Sequence, residues 1–128
     1  MNISIVLEGD VPSKKNSKQI IYRYGRPMII SSKRFIEWNK VAQQIMSLKY
    51  RGLKASDVEC ITMTIFPSTK RKSDLSNKFE SIADLLVDVG VIEDDNWFVV
   101  PKVVMLFGGV DKKNPRVEVE ILTLAVDK

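Results

Sequence analysis

Apolar residues occupy every second position at both ends of this 128-residue chain. Near the N-terminus these residues are Ile3, Ile5 and Leu7, and near the C-terminus the segment PRVEVEILTLAV (115–126) alternates in the same way. Successive side chains of a strand point to opposite faces of a sheet, so a period of two predicts a strand with one buried face. We therefore expect a strand at each end, and a strand rather than a signal peptide at the N-terminus.

Three internal segments also have the composition of strands. Residues 19–30 (QIIYRYGRPMII) place β-branched and aromatic residues on both sides of a turn at 25–27, which predicts a hairpin. Residues 58–67 (VECITMTIFP) predict a further strand, and residues 96–109 (NWFVVPKVVMLFGG) predict another that Pro101 interrupts. The intervening segment RGLKASD is typical of a loop.

Two segments carry apolar residues at helical spacing. The first covers residues 31–50, where Ser31 or Ser32 can cap the helix. The second covers residues 75–89 and is followed by Gly90, which favours a helix end. Its apolar residues form one stripe along the helix: Leu75, Phe79, Ile82, Leu86 and Val89.

The order of these elements predicts an α/β (α+β) fold with a single mixed β-sheet packed against two main helices. A chain of this length is expected to form one domain, residues 1–128, and to bury enough surface to fold without disulfides. We expect Trp38 of the first helix and one of Trp97 and Phe98 to pack in the core.

The polar face of the second helix is strongly acidic. If the apolar stripe faces the sheet, the opposite side carries Asn77, Glu80, Asp84 and Asp88. Asp74 stands at the start of this helix, where free backbone N–H groups and the helix dipole favour a carboxylate. The simplest interpretation is an N-cap at Asp74, a solvated helix face, and a turn at residues 93–96.

Composition restricts the chemistry that this chain can perform. The absence of histidine excludes His-based acid–base catalysis and His-ligated zinc, and one cysteine cannot form a thiolate zinc site. Carboxylates, lysines and hydroxyls remain, together with a hard metal ion that prefers oxygen ligands. We expect Cys60 to be a buried free thiol in a cytoplasmic protein, and no apolar run is long enough for a membrane span.

The net charge of +4 is distributed unevenly. Basic residues cluster at Lys14, Lys15 and Lys18, at Lys33 and Arg34, and at Lys70, Arg71 and Lys72, whereas acids concentrate between residues 84 and 95. Local basic clusters are compatible with a polyanionic partner. Solvated lysines on loops are the equally simple alternative.

The segment SDLSNKFESIADLLVDVGVIEDDNWFV (73–99) resembles the core motif of the RusA family of Holliday junction resolvases, which phages and prophages often carry. The family pattern is Asp-Leu-Asp-Asn at a helix start, an Asp within that helix, a Gly, and an Asp-Asp pair before a strand. Asp74, Leu75 and Asn77 match its first part, and the later matches are Asp84, Gly90, Asp94 and Asp95. The segments VPSKKNSK, IISSKRF and PRVEVEI resemble other parts of the family, so the similarity covers most of the chain.

This resemblance implies a homodimer that nicks four-way DNA junctions in a reaction that depends on Mg²⁺, with Mn²⁺ as a substitute. Two of the three family acids correspond to Asp74 and Asp95, but the third is replaced by Ser76. Glu80 stands one helical turn later, where the family often has a lysine, and neighbouring i, i+4 side chains can meet. We therefore hypothesise a displaced acid, in which Asp74, Glu80 and Asp95 bind the metal and Ser76 assists.

The remaining predicted site residues support this chemistry. Asn77, Asp84 and Asp94 are expected in supporting roles. The candidates for DNA phosphate contacts are Lys14, Lys15, Lys18, Lys70, Arg71, Lys72 and Lys78. One alternative is a RusA-like protein that binds branched DNA with weak or no nuclease activity because of Ser76 and Glu80, and another is a protein-interaction domain without a DNA role.

Overall fold

The computed structural model describes the backbone of residues 2–13, 18–31 and 33–127, with side chains described except at positions 18, 19, 21, 28–31 and 125–127. Within these ranges the chain forms six strands and two helices. They are β1 (Asn2–Glu8), β2 (Lys18–Arg23), β3 (Arg26–Ser31), α1 (Lys33–Lys49), β4 (Lys54–Phe66), α2 (Leu75–Asp88), β5 (Val103–Phe107) and β6 (Arg116–Asp127).

The main sheet has the strand order β1-β6-β4-β5. Strand β6 pairs antiparallel with β1 and β4, whereas β4 pairs parallel with β5. The parallel pair requires a crossover, and α2 lies within it. Strands β2 and β3 form a separate two-stranded sheet. The predicted class, a mixed sheet packed with two helices, is therefore confirmed.

The hydrophobic core lies between one face of the sheet and the helices. The alternating residues of β1, β4 and β6 meet there because the strand register aligns them, for example Ile5 with Val119 and Met63 with Val119. Helix α2 contributes Ile82, Leu85 and Leu86, all fully buried. Each such side chain stabilises the fold by roughly 1.5–3 kcal/mol through burial.

The predicted apolar stripe of α2 is confirmed at its centre and only partly buried at its ends. Ile82 and Leu86 are fully buried, whereas Leu75, Phe79 and Val89 pack partly buried against the core. The helix ends at Asp88, and Gly90 follows with a φ of 81°, the left-handed conformation that glycine adopts most easily.

Several predicted boundaries were wrong. The hairpin turn lies at Tyr24 and Gly25 rather than at 25–27, because both residues have positive φ and Arg26 pairs with Arg23. Strand β4 begins at Lys54, within the predicted loop. Strand β5 begins only at Val103, since the preceding residues form a turn.

Predicted caps and packing residues had mixed outcomes. Ser31 ends β3, and Ser32 lies outside the described residues, so the predicted cap of α1 stays a prediction. Trp38 packs half-buried against the core. The expectation that Trp97 or Phe98 is buried was wrong, because their side chains are 76% and 88% exposed.

Cys60 is free, as expected, but half-buried rather than buried. In the described part of the chain, none of the helices has the length and apolar character needed to cross a membrane.

Candidate metal and nucleic-acid site

Asp74 occupies the N-cap position of α2 without using its side chain as a cap. Its backbone is extended, with φ −81° and ψ 133°, and its carbonyl accepts the first helical hydrogen bond, from the Asn77 N–H at 3.2 Å. Its carboxylate makes no cap hydrogen bond and is exposed. The N-cap interpretation is thus confirmed for the backbone only, and the carboxylate remains at the positive end of the helix dipole.

Ser76 and Glu80 are both exposed on α2. The helix is continuous across them, so their i, i+4 relationship holds and their side chains are neighbours. The same spacing continues to Asp84 and Asp88. The exposed side of α2 therefore carries a row of one hydroxyl and three carboxylates.

Residues 94–100 form a turn that the side chains of Asp94 and Asn96 organise. Asp94 Oδ1 accepts a hydrogen bond from the Asp95 backbone N–H at 2.7 Å, and Asp94 Oδ2 accepts one from the Asn96 amide at 3.0 Å. Asn96 Oδ1 in turn accepts from the N–H groups of Phe98 and Val99. These bonds to the charged form lower the pKa of Asp94, the Asp95 backbone N–H contributing most.

The pKa of Asp95 shifts in the opposite direction to that of Asp94. Although it is exposed, the surrounding protein displaces part of its hydration, and this raises the pKa of Asp95 above its usual range. The carboxylates of Asp94 and Asp84 raise it further. Asp95 therefore lies in a locally negative environment that the turn and α2 build together, and we call Asp84, Asp94 and Asp95 the acidic group.

The structure does not bring the predicted metal ligands together as one set. The acids that raise the pKa of Asp95 are Asp94 and Asp84, and Asp74 is not among them. Asp74 and Asp84 are ten residues apart along α2, which corresponds to about 15 Å of helical rise. Among the described residues, no three Asp, Glu, Cys or His side chains form a group that could hold a metal ion. Metal binding by Asp74, Glu80 and Asp95 therefore stays a prediction.

The predicted basic residues fall into three groups. Lys70, Arg71 and Lys72 are exposed in the loop that leads directly into Asp74. Lys14 and Lys15 lie outside the described residues, as does the side chain of Lys18. Thus the structure describes the side chains of four of the seven predicted phosphate contacts.

Lys78, the fourth of these, fastens the N-terminal loop to α2. Its ammonium donates to the Val11 carbonyl oxygen at 2.6 Å, and the Ser81 hydroxyl donates to the Pro12 carbonyl oxygen at 2.7 Å. Val11 and Pro12 are thereby held beside the first turns of α2. Sequence analysis did not single out Ser81, which the structure shows to be buried next to Ile82 of the apolar stripe.

Lys78 also lies in a positive environment. Burial lowers the pKa of Lys78 most, and the charges of Arg34 and Arg71 lower it further, while Asp10 opposes them. Arg34 was part of a basic cluster in the sequence but was not predicted to contact DNA. Its charge therefore acts together with those of Arg71 and Lys78 near the N-terminal half of α2.

The loop before α2 is anchored at its beginning. Asp10, two residues after the end of β1, accepts hydrogen bonds from both the backbone N–H and the hydroxyl of Ser68. Asp111 donates its backbone N–H to the Pro67 carbonyl oxygen at 2.8 Å. These contacts fix the point from which the basic residues 70–72 extend.

Comparison of the chain with protein-family models found no match, and comparison with curated proteins found none either.

Proposed function

We propose that this protein is a magnesium-dependent, structure-specific endonuclease that binds four-way DNA junctions as a homodimer. The observation that carries the proposal is the acidic group, in which Asp95 follows the hydrogen-bonded Asp94 in the turn after α2. Loss of hydration raises the pKa of Asp95 most, and the carboxylates of Asp94 and, on α2, Asp84 raise it further. Neighbouring carboxylates supply the oxygen ligands that Mg²⁺ prefers. The exposed cations of the loop 70–72 provide complementary contacts for DNA phosphates.

The residues present fit Mg²⁺, which is commonly held by one or two carboxylates together with water and substrate phosphate. Asp84 and Asp95 would hold the ion, and Glu80 lies one helical turn from Asp84. Asp94 would fix the backbone of Asp95 through its hydrogen bond. A bound Mg²⁺ supplies activation of a water molecule and neutralisation of charge on the phosphate.

A homodimer is the second part of the proposal, and the β5 edge of the sheet supports it. All five residues of β5 are apolar, and an edge strand without a charge is a template for pairing. Leu106 and Phe107 are 46% and 61% exposed. Antiparallel pairing about Met105 would put Val103 of one copy opposite Phe107 of the other, a self-complementary arrangement.

The dimer is tested by placing a charge on this edge. Phe107→Lys should give a monomer in size-exclusion chromatography with light scattering, because a buried lysine would oppose strand pairing. Leu124→Lys is the matched control, because Leu124 is also an exposed apolar residue but lies on β6, and it should leave the dimer intact. Equal masses for the wild type and both variants would contradict the proposed interface.

The nuclease is tested with synthetic four-way junctions incubated with and without Mg²⁺ or Mn²⁺, reading binding and nicking separately. Asp95→Asn and Asp84→Asn should abolish nicking while retaining binding. Glu120→Gln, an exposed acid on β6, is the matched control. Full nicking by Glu80→Gln would end the displaced-acid hypothesis, and no metal-dependent nicking by the wild type would contradict the nuclease proposal.

A second candidate is junction binding with little or no cleavage. The observation that favours it is the neutral Ser76 at the position of a family acid. Under this alternative the wild type binds junctions without nicking them, and Ser76→Asp restores metal-dependent nicking. Failure of Ser76→Asp to confer metal-dependent nicking would contradict this alternative.

A further inference from the structure

The β2–β3 hairpin, here called the β-arm (residues 18–31), packs only sparsely against the other helices and strands that the structure describes. Its two strands pair along their whole length, but within the described residues neither packs extensively on another element. Its described side chains, from Ile20 and from Tyr22 to Pro27, are all exposed. An isolated two-stranded hairpin is marginally stable in water, so a structure of this kind gains stability when a ligand covers it.

The β-arm belongs to the most basic part of the sequence. Residues 11–36 contain seven Lys and Arg residues and no Asp or Glu. Because the whole chain carries +4, these residues carry +7 and the other 102 residues carry −3. This separation of charge means that a polyanion would be attracted to the β-arm and its flanks rather than to the protein as a whole.

Two arginines face each other at the end of the β-arm. Arg23 and Arg26 are direct cross-strand partners, so their side chains project from the same face. Like charges in this position destabilise a hairpin unless an anion lies between them. Both are exposed, and neither forms an ion pair in the described part of the chain. Guanidinium groups bind phosphate in two-pronged geometry, which suits such a pair.

The turn between these arginines places an aromatic ring in solvent at a conformational cost. Tyr24 and Gly25 have φ of 52° and 72°, the two positive values of a type I′ turn. Asn, Asp and Gly are preferred there, and a bulky residue is strained. Tyr24 is nevertheless fully exposed, and Tyr22 is 74% exposed. Because the strained conformation of Tyr24 is not offset by packing within the protein, it suggests that the ring contacts a ligand.

From these observations we infer that the β-arm binds unpaired DNA nucleotides, with Arg23 and Arg26 on backbone phosphates. The rings of Tyr24, at the turn, and of Tyr22, on the opposite face of the hairpin from the arginines, would stack on bases. Aromatic side chains beside a positive surface are the usual means of holding single-stranded nucleic acid. The inference deepens the proposed function and rests on it only for the source of the unpaired bases, the branch point of a junction. A second copy of the chain is a poorer occupant, because a symmetric contact would bring four arginines together.

The test measures binding by fluorescence anisotropy to an oligo-dT strand, a blunt duplex and a four-way junction. Tyr22→Ala/Tyr24→Ala should weaken binding to oligo-dT at least about fivefold, since stacking contributes about 1–3 kcal/mol per base. Binding to the blunt duplex should be unchanged. Tyr22→Phe/Tyr24→Phe, which keeps both rings, should behave as the wild type.

The contribution of the two arginines to phosphate binding is tested separately. Arg23→Gln/Arg26→Gln should weaken binding to oligo-dT and reduce the slope of log K against log salt concentration by about 1.4 for two lost single-strand phosphate contacts. Lys112→Gln/Lys113→Gln removes the same charge from an exposed loop after β5 and is the matched control. Circular dichroism confirms that each variant is folded.

The outcomes separate this inference from the proposed function. If the wild type binds junctions and the β-arm variants bind all three DNAs as well as it does, the inference fails and the proposed function stands. If β-arm variants lose oligo-dT binding but the wild type neither prefers nor nicks junctions, the inference stands and the proposed function fails. A change of oligomeric state in the tyrosine variant would mark the β-arm as a self-association surface and overturn the inference.

Discussion

The acidic group and the end of the β-arm both hold like charges close together, but the protein treats them differently. Asp94 is fixed by two hydrogen bonds, and Asp84 and Asp95 are positioned by elements that pack on the core. Arg23 and Arg26 face each other on a hairpin that few other elements contact. One charged region is thus built by the fold, whereas the other depends on a marginally stable hairpin and is suited to being completed by a ligand.

The largest expected difference between the two regions is in stability. Leu86→Ala, in the fully buried stripe of α2, should reduce the free energy of unfolding by about 2–5 kcal/mol through cavity formation. Ile20→Ala on the β-arm should change it by no more than about 0.5 kcal/mol, since Ile20 is 64% exposed. Urea unfolding measures both, and comparable losses would mean that the β-arm is part of the cooperative core.

A smaller loss of unfolding free energy is expected where the loop after β1 contacts α2. Ser81→Ala leaves the Pro12 carbonyl oxygen without its donor, which should cost about 1–2 kcal/mol of unfolding free energy. Ser47→Ala, at an exposed serine of α1, is the matched control and should have little effect. If the two variants unfold alike, the bond to Pro12 does not hold the N-terminal loop.

The acidic group should respond to divalent cations in a way that the β-arm does not. At ten times its dissociation constant, Mg²⁺ or Mn²⁺ should raise the melting temperature by about 3–6 °C at neutral pH. Asp95→Asn should abolish this rise, whereas Arg23→Gln/Arg26→Gln should preserve it. An undiminished rise in Asp95→Asn would place the metal elsewhere.

The pH dependence of Asp95 follows from its raised pKa. A carboxyl that holds its proton more tightly in the folded chain stabilises the fold at pH below the usual Asp value of about 3.9, and this contribution disappears as pH rises through the folded value. Asp95→Asn should therefore be slightly more stable than the wild type at neutral pH without metal, with the difference vanishing in acid. Thermal unfolding from pH 3 to 7 measures this, and a constant difference would contradict the assignment of the repulsion to Asp95.

The smallest effect is expected at the turn of the β-arm. Tyr24→Asn relieves the positive-φ strain, because Asn adopts this conformation readily. It should increase hydrogen-exchange protection within the β-arm without a measurable change in the melting temperature, and it should weaken oligo-dT binding. Unchanged protection would show that Tyr24 is not strained.

Sequence patterns predicted the elements well where burial dictates the spacing of residues. The stripe of α2 and the alternation of β1 and β6 follow directly from one buried face, so their positions were recognised. The predictions failed where local hydrogen bonds decide the conformation. Asn96 holds residues 98–100 in a turn, and Tyr24 adopts a conformation that tyrosine rarely takes, neither of which is visible in apolar periodicity.

By itself, the sequence determined the fold class, the acids of α2 and its following turn, and the basic character of the segments around them. Tertiary packing was needed to bring Asp84 within electrostatic reach of Asp95, to engage Lys78 in holding a loop, and to leave Trp97 and Phe98 exposed to solvent. The reason is physical: periodicity records which face of each element is buried. Electrostatic neighbours, in contrast, depend on distances between elements, which are set only when those elements pack together.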